Sequence, residues 1–201
     1  MYNYPHKVQK LINEISKFPG VGPKMAERIA LYILRRDHSD IDNLTSIIND
    51  IKNITVCKKC FNVSEKDVCD ICDDETRVKE MLCVVESPED VINIERTGKY
   101  GGYYHVLHGL INPLENMLPE NLKIMELSGR VKKEDYIKEV LLAINQTVEG
   151  DATALYISSI IKINGSSLKI TRLAKGLPTG SDIKYADEIT LGQAIVERKE
   201  M

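Results

Sequence analysis

MLCVVESPED, residues 81–90, is the stretch that predicts the fold class of this chain. Its first five residues are apolar without interruption, which is typical of a strand buried in a parallel sheet. Ser87, Pro88 and Asp90 then have the arrangement of a helix start: a serine N-cap, a proline at the first helical position and an acid three residues after the cap. A strand that leads directly into a helix is the repeating unit of α/β proteins.

The same alternation continues towards the C-terminus. Three further segments are predicted as strands: YYHVLHG (103–109), EVLLAIN (139–145) and LKITRLA (168–174). Residues 151–163 are predicted as a helix because apolar side chains recur there at helical spacing. The predicted apolar face consists of Ala152, Leu155, Tyr156, Ser159, Ile160 and Ile163. This alternation predicts an open parallel α/β sheet.

The N-terminal quarter of the chain predicts helices joined by a tight turn. Apolar side chains recur at helical spacing in residues 8–17 and again in residues 25–36, and PGVGP (19–23) interrupts the pattern between them. A third segment with this periodicity, residues 44–54, follows. This part is therefore predicted to be a helical unit that precedes the α/β part.

The PGVGP turn has the residues of a phosphate-binding hairpin. Gly20 and Gly22 permit a tight turn whose backbone N–H groups point outward next to a helix N-terminus. Lys24 and Arg28 follow four residues apart, so both side chains can reach one run of phosphates. Residues 1–36 contain seven Lys/Arg against two Glu. We therefore favour a contact with the DNA backbone over the alternative, a plain turn between two core helices.

Four of the five cysteines have the spacing of a zinc site. Cys57, Cys60, Cys69 and Cys72 form two C-x-x-C pairs separated by eight residues, and such pairs can close a tetrahedral site around Zn²⁺. Because thiolates fill all four positions, we expect one structural zinc per chain rather than a catalytic ion. The alternatives are plain buried cysteines or disulfides. Cys83, within the apolar strand, is interpreted as a small core residue.

Composition limits the classes of protein to which the chain can belong. The net charge is −3 in total, but residues 1–36 carry +5, so an acidic body follows a basic N-terminus and two kinds of partner are expected. No apolar run approaches the eighteen or so residues of a membrane span. The N-terminus also has no signal-peptide core, so we expect a cytoplasmic protein in a reducing compartment.

Taken together, these features resemble the bacterial RecR family of recombination mediators. The combination of a helix-hairpin-helix, paired cysteines and an α/β part whose first strand ends at Glu86 carries the resemblance. The matching segments cover nearly the whole chain: FPGVGPKMAERIALYIL, VCKKCFNVSEKDVCDIC, LCVVESPEDVINIERTGKYGGYYHVLHG, NQTVEGDATALYI and TRLAKGLPTGSDIKYADEITL.

The resemblance implies a four-part organisation. Residues 1–54 would form a helix-hairpin-helix DNA-binding region, 55–78 a four-cysteine zinc finger, 79–174 a Toprim domain, and 175–201 a Walker-B-like and oligomerisation segment. It also implies a homo-oligomer, a tetrameric ring that encircles DNA. Such a ring acts without catalysis in recombinational DNA repair, and works with RecO and RecF to load the RecA recombinase onto gapped or single-stranded DNA.

The acidic residues of the implied Toprim domain decide whether it is catalytic. In catalytic relatives, a strand-end glutamate and an Asp-x-Asp pair on a later strand hold Mg²⁺ for phosphoryl transfer. The resemblance places Glu86 at the glutamate position, and Asn145 and Thr147 where the two aspartates should be. Neither supplies a carboxylate. We therefore expect no enzymatic activity, and Glu149 and Asp151, further along the chain, do not simply replace the missing pair.

Both later acids have other interpretations. Asp151 directly precedes the predicted helix and is interpreted as its N-cap, with Gly150 giving the turn its conformational freedom. Glu149 is expected in a strand-end loop, where ligands and partners of α/β sheets bind. The resemblance suggests that the acidic face formed by Glu86, Glu149 and Asp151 meets RecO, or DNA through bound Mg²⁺. A protein partner is the favoured of these two.

The loop after the strand YYHVLHG departs from the family pattern. The family usually has Ser-Pro-x-Asp-Gly there, whereas this chain has Asn112-Pro113-Leu114-Glu115-Asn116. The missing glycine leaves the geometry of this loop open.

The remaining polar candidates have weaker patterns. By the resemblance, Asp187 and Glu188 belong to a Walker-B-like element, but no phosphate loop of the form G-x-x-x-x-G-K-[ST] accompanies them, so exposed strand-end acids are an equal alternative and an NTPase is disfavoured. His105 and His108 lack an accompanying carboxylate motif. They are interpreted as core or surface residues rather than ligands or bases.

Overall fold

The computed structural model describes residues 4–163 and 168–198. They form two compact units, the first ending at Ile54 and the second beginning at Thr55.

The described part of the first unit (residues 4–54) contains three α-helices, α1 (His6–Ile15), α2 (Pro23–Ile33) and α3 (His38–Asp50), and a 3-10 turn (Ile51–Asn53) after them. Helices α1 and α2 pack against each other because their apolar stripes meet in a small core, formed by Ile12, Ile15, Ala26 and Ala30. The two helices predicted around PGVGP are confirmed. The third begins earlier than its apolar periodicity suggests, because its first turn is polar.

The second unit begins with the cysteine region. Two short antiparallel strands, β1 (Thr55–Val56) and β2 (Val63–Ser64), are followed by a single helical turn, α4 (Asp70–Asp73). The four cysteines form the buried centre of this region, with Val68 and Ile71 packed against them. So few apolar side chains make too small a core to hold such a region together alone.

The rest of the second unit is built on a parallel sheet, which confirms the predicted fold class. Its strands are β3 (Val78–Val85), β4 (Gly102–Val106), β5 (Glu139–Ala143) and β6 (Lys169–Arg172), in the order β4-β3-β5-β6. The helices are α5 (Pro88–Arg96), α6 (Ile124–Lys133), α7 (Val148–Ile163) and α8 (Glu188–Val196). Val85 pairs with Val106 on one side and with Ala143 on the other. Three strands thus end level, so the residues that follow them meet at one edge of the sheet.

Alternate residues of β3 face different layers of the unit. Leu82 and Val84 belong to a core shared with residues of α6 and α7. Cys83 and Val85 belong to a second core, against which residues of α5 and the cysteine region pack. The interpretation of Cys83 as a core residue is confirmed. An apolar run without polar interruption therefore reflects burial on both faces.

The helix start predicted at Ser87 is confirmed. The Asp90 carboxylate accepts hydrogen bonds from the Ser87 backbone N–H at 2.9 Å and from the Ser87 hydroxyl at 3.0 Å, and the Asp90 N–H donates to the Ser87 carbonyl at 3.2 Å. This fixes the direction in which the chain leaves Glu86.

The helix predicted over residues 151–163 is confirmed, and Ile160 of its predicted face packs against the core. The rest of the predicted apolar face is wrong. Ala154, Ile157 and Ile161 are buried, whereas Leu155 is 72% exposed and Tyr156 lies at the surface. The side chain of Ile163 lies outside the described residues. The helix carries apolar residues on nearly all sides, so two different faces satisfy the same spacing, and periodicity alone cannot choose between them.

Strands β4 and β5 are shorter than predicted. They end at Val106 and Ala143, although Leu107 and Ile144, which follow, are also buried. Apolar side chains continue into the core after the strand hydrogen bonds have stopped, and for this reason the sequence pattern overestimates strand length.

The loop of residues 112–117 closes without the family's glycine. Asn116, which replaces it, has φ = +56°, in the left-handed region. Asn112 caps the 3-10 turn that follows it (Pro113–Glu115) by accepting a hydrogen bond from Leu114 N, and Asn112 and Met117 form a β-bridge. Asparagine is among the few residues other than glycine that tolerate this backbone conformation, so the loop geometry survives the substitution.

We predict that Asn116→Ala lowers the free energy of unfolding by about 1 kcal/mol, because alanine is disfavoured in the left-handed region. Asn116→Gly should raise it slightly. Urea titration at one fixed protein concentration measures both. Asn93→Ala, at an exposed position within α5, is the control and should not destabilise. A stable Asn116→Ala variant would contradict the role assigned to this backbone angle.

Candidate functional site

The four predicted zinc ligands come together in the structure. Cys57, Cys60, Cys69 and Cys72 are all buried, and their Sγ atoms lie within 4.8 Å of one another. Cys60 Sγ and Cys69 Sγ are 3.5 Å apart, too far for a disulfide, and all four thiols are free. Two turns place them, in which the Phe61 N–H donates to the Cys57 carbonyl and the Cys72 N–H to the Cys69 carbonyl. A hydrogen bond from the Cys69 N–H to Cys57 Sγ links the two pairs.

The chemistry of this cluster fits a zinc ion. Hydrogen bonds with Cys60 and Cys69, together with burial, raise the pKa of the Cys72 thiol, because four thiolates cannot be crowded together without a cation. A divalent ion that replaces the protons satisfies all four sulfurs. With four protein ligands, such a site is closed to a reacting water, and the ion's role is to cross-link residues 57–72.

The predicted DNA-binding residues lie on one surface of the first unit. Gly22 caps α2, and Lys24 and Arg28 are exposed on its first turns, where they line one concave surface with Gly22. Gly20 has φ = +77° and therefore needs glycine. Gly22 has an ordinary φ of −77°, so the turn itself does not require glycine at this position. A Cβ there would meet open space.

Glu86 and Asn145 meet at the edge where the parallel strands end. The Asn145 side-chain amide donates to Glu86 Oε2 at 3.0 Å. The structure thus brings together the glutamate and the first position of the expected aspartate pair. An amide that donates to the carboxylate takes the place that a second carboxylate would need for a magnesium site.

Asp151 is not the N-cap of α7; that interpretation is wrong. The helix begins at Val148, and Thr147 occupies the cap position, where its hydroxyl accepts a hydrogen bond from the Gly150 N–H at 3.1 Å. Asp151 lies in the first turn and forms an ion pair with Arg172 of β6 at 2.7 Å. The Arg172 hydrogen bond holds the pKa of the Asp151 carboxyl below its usual range.

The role expected for Gly150 also changes. It lies inside the helix, and a Cβ there would overlap the backbone oxygen of Asn145. Glycine is needed because the start of α7 packs directly on the end of β5, not because a turn needs conformational freedom. Glu149, expected in a loop, is the second residue of this helix and is half-buried.

Asp187 and Glu188 do not follow a strand. Residues Ile183–Tyr185 form a single 3-10 turn, and Asp187 is the N-cap of α8, where its carboxylate accepts a hydrogen bond from the Thr190 N–H at 2.9 Å. Hydrogen bonds from Thr190 lower the pKa of Asp187. The strand-end interpretation is wrong. Within the described tail (168–198), no strand follows Arg172, where β6 ends.

Sequence reasoning did not find the seam between the cysteine region and the sheet. Arg130 of α6 is buried, and its Nη1 donates to the carbonyls of Tyr104 and Lys59 at 2.7 and 3.3 Å. His108 Nε2 lies 2.7 Å from the Phe61 carbonyl, and His105 is buried against the Phe61 ring. Arg130 is the one signal in the sequence from which this seam could have been found, because it is a charged residue at a helical position that proves to be buried.

Comparisons with known proteins extend over almost the entire chain. Four family models match in succession: RecR, helix-hairpin-helix at residues 8–52; RecR, four-cysteine zinc finger domain at 54–74; Toprim domain at 80–174; and RecR, C-terminal at 176–199. In the described part of the chain, no helix has both the length and the apolarity needed to cross a membrane.

A curated relative agrees with these matches. The chain is 47% identical over 198 residues to the recombination protein RecR of Herpetosiphon aurantiacus, an alignment that covers 98% of this chain and 96% of the relative. The four-cysteine cluster and the match to a zinc finger model indicate zinc binding. On this similarity, the chain belongs to the RecR family of recombination proteins.

Proposed function

We propose that this chain is a non-catalytic DNA clamp of recombinational DNA repair. In this proposal it acts in the cytoplasm with RecO and RecF, and loads the RecA recombinase onto gapped or single-stranded DNA. The observation that carries the proposal is the hydrogen bond from the Asn145 amide to Glu86. It converts the edge at which Toprim enzymes hold magnesium into a surface with one half-buried carboxylate and one exposed amide.

The acidic residues around this edge support binding rather than catalysis. Metal-dependent phosphoryl transfer needs several carboxylate oxygens on one ion. Among the described residues, the only group of three or more metal-ligating side chains is the cysteine cluster. Asp151 is neutralised by Arg172. Glu86 and Glu149 thus remain as recognition groups for a basic surface, and RecO is the partner that we assign to them, in preference to Mg²⁺.

The first unit supports contact with the DNA backbone. Lys24 and Arg28 form no ion pair within the described residues, and Glu27, the acid between them, is engaged by the Tyr4 hydroxyl at 2.5 Å. The two cations are therefore available to phosphates, next to a helix N-terminus that also attracts anions. Contacts of this kind are independent of base sequence, as a clamp on gapped or single-stranded DNA requires.

Exposed apolar surfaces support self-association, for which we propose a tetrameric ring. Helix α3 buries none of its residues in the described chain and exposes Leu44, Ile47 and Ile48 by 44% to 56%. Helix α8 exposes Ile189 and Val196 by 80% and 76%. Apolar helices without a buried face are stabilised when another surface covers them. We assign residues 175–201 to the oligomerisation segment. It follows the proposed helix-hairpin-helix region (1–54), zinc finger (55–78) and Toprim domain (79–174).

For DNA binding, we predict that Lys24→Glu combined with Arg28→Glu abolishes binding to gapped duplex DNA while the far-UV circular dichroism is unchanged. In the milder pair Lys24→Ala with Arg28→Ala, the negative slope of log K against log salt concentration should become shallower by about 1.8, because two duplex phosphate contacts are lost. Lys132→Glu with Lys133→Glu on α6 is the charge-matched control. Equal losses of DNA binding in the Lys24→Glu/Arg28→Glu variant and in this control would show that the hairpin is not the contact.

For zinc, we predict about one equivalent per chain, since four thiolates close one tetrahedral site. Cys57→Ser should lose the metal and lower the melting temperature, because binding free energy is also folding free energy here. Elemental analysis and thermal unfolding measure the two effects. Cys83→Ser is the control, and should retain zinc whatever it does to the core. A stable wild-type chain without metal would contradict the structural role.

The edge of the sheet that carries Glu86 and Glu149 is called the acidic edge below. We predict that Glu86→Gln and Glu149→Gln each weaken RecO binding by about tenfold or more, the effect of losing a hydrogen bond to a charged group. DNA binding by the isolated chain should not change. Calorimetry with RecO measures the loss, and Glu115→Gln, an exposed acid in another loop, serves as the control. Cleavage of nicked or gapped DNA by the wild-type chain with Mg²⁺ would overturn the non-catalytic assignment.

A further inference from the structure

Three consecutive carbonyls of the first cysteine pair are hydrogen-bonded to the Toprim part of the same unit. The acceptors are the carbonyl oxygens of Lys59, Cys60 and Phe61. The donors, in the same order, are Arg130 Nη1 at 3.3 Å, the Val106 N–H at 2.8 Å and His108 Nε2 at 2.7 Å. Because a carbonyl accepts, His108 carries its proton on Nε2. The turn that places two zinc ligands is thus attached to the end of β4.

The His108 contact joins two residues with unusual backbones. Phe61 has φ = +64° and His108 has φ = +62°, and neither is glycine. Bulky residues rarely adopt the left-handed region, and such conformations persist only where surrounding contacts impose them. Phe61 is held by its ring, which packs edge-on against His105 with centroids 5.2 Å apart and lies 5.2 Å from Lys123 Nζ.

The backbone around His108 also holds the end of β3. The Leu107 N–H donates to the Val85 carbonyl at 2.9 Å, and the Gly109 N–H donates to the Glu86 carbonyl at 3.1 Å. The two neighbours of His108 in sequence thus hold the chain at Glu86 through their backbone N–H groups, while the His108 side chain bonds to the cysteine turn.

From this we infer that His108 is a positioning residue, which couples the four-cysteine site to the acidic edge. Through the Nε2–Phe61 hydrogen bond, the cross-linked cysteine turn holds residues 107–109, and these hold Glu86 in the geometry that its partner recognises. The inference rests on the proposed function of Glu86 only in its last step. The coupling between the cysteine turn and residues 107–109 stands independently of what binds the edge.

The variants separate the hydrogen bond from the backbone angle. Asparagine at position 108 tolerates a positive φ, but its shorter side chain places no donor where His108 Nε2 lies and cannot reach the Phe61 carbonyl. His108→Gln keeps an N–H donor near that position. His38→Asn, at an exposed histidine of the first unit, repeats the chemical change away from the seam. All are measured as the zinc-loaded full-length protein, with circular dichroism as the check on folding.

Two measurements test the coupling. Zinc release into excess chromogenic chelator should be about two- to tenfold faster in His108→Asn than in wild type, the range expected for one lost hydrogen bond. Amide exchange at residues 107–109 and 85–86 should also be faster in this variant, without chelator. His108→Gln should restore both rates at least in part, and His38→Asn should match wild type. Wild-type rates of release and exchange in His108→Asn would overturn the inference, as would equal effects of Asn and Gln.

RecO binding distinguishes this inference from the proposed function. If His108→Asn alters zinc release and exchange while Glu86→Gln leaves RecO binding unchanged, the coupling holds and the partner assignment of the edge fails. If Glu86→Gln weakens RecO binding but His108→Asn behaves as wild type in both rates, the edge assignment holds and the coupling is wrong. Weaker RecO binding by both variants, with faster zinc release in His108→Asn alone, supports both.

Discussion

The level pairing of β4, β3 and β5 is the constraint on which the rest of the second unit depends. Because these strands run parallel and end together at Val106, Val85 and Ala143, the chain segments that follow them emerge at one edge. Glu86 and Asn145, 59 residues apart in sequence, can therefore form a hydrogen bond. The same register brings the exit of β4 against Glu86. A shift of one strand by one residue would invert its side chains and dismantle the edge.

The cysteine region depends on this sheet as much as on its metal. Its buried centre consists almost entirely of the four cysteines, so cross-linking by a metal replaces the hydrophobic core that so short a segment cannot form. Its position, however, is fixed by hydrogen bonds from Arg130, Val106 and His108. Two left-handed residues at this seam indicate that the contact, not local preference, dictates the backbone there.

Charge is divided between the two units according to their proposed partners. Lys24 and Arg28, which follow the PGVGP turn, form no ion pair within the described chain and are exposed. At the acidic edge, by contrast, most polar groups have partners within the protein: Asp151 with Arg172, Asn145 with Glu86, and Thr147 with the start of α7. A catalytic metal site needs carboxylates left without such partners. The edge retains the location of a Toprim active site, while most of its polar side chains stabilise the fold. In our proposal, Glu86 and Glu149 are its recognition groups.

Local sequence determined the features that depend on neighbouring residues. The spacing of the cysteine pairs, the capping box after β3, the helices around PGVGP and the parallel α/β class were all predictable, because each follows from periodicity or from contacts within a few residues. Tertiary structure decided the rest. Which face of α7 is buried, the pairing of Asp151 with Arg172, the need for glycine at position 150 and the bond from His108 to Phe61 all depend on residues distant in sequence. Local patterns carry no record of such contacts, since only the packed sheet brings their partners together.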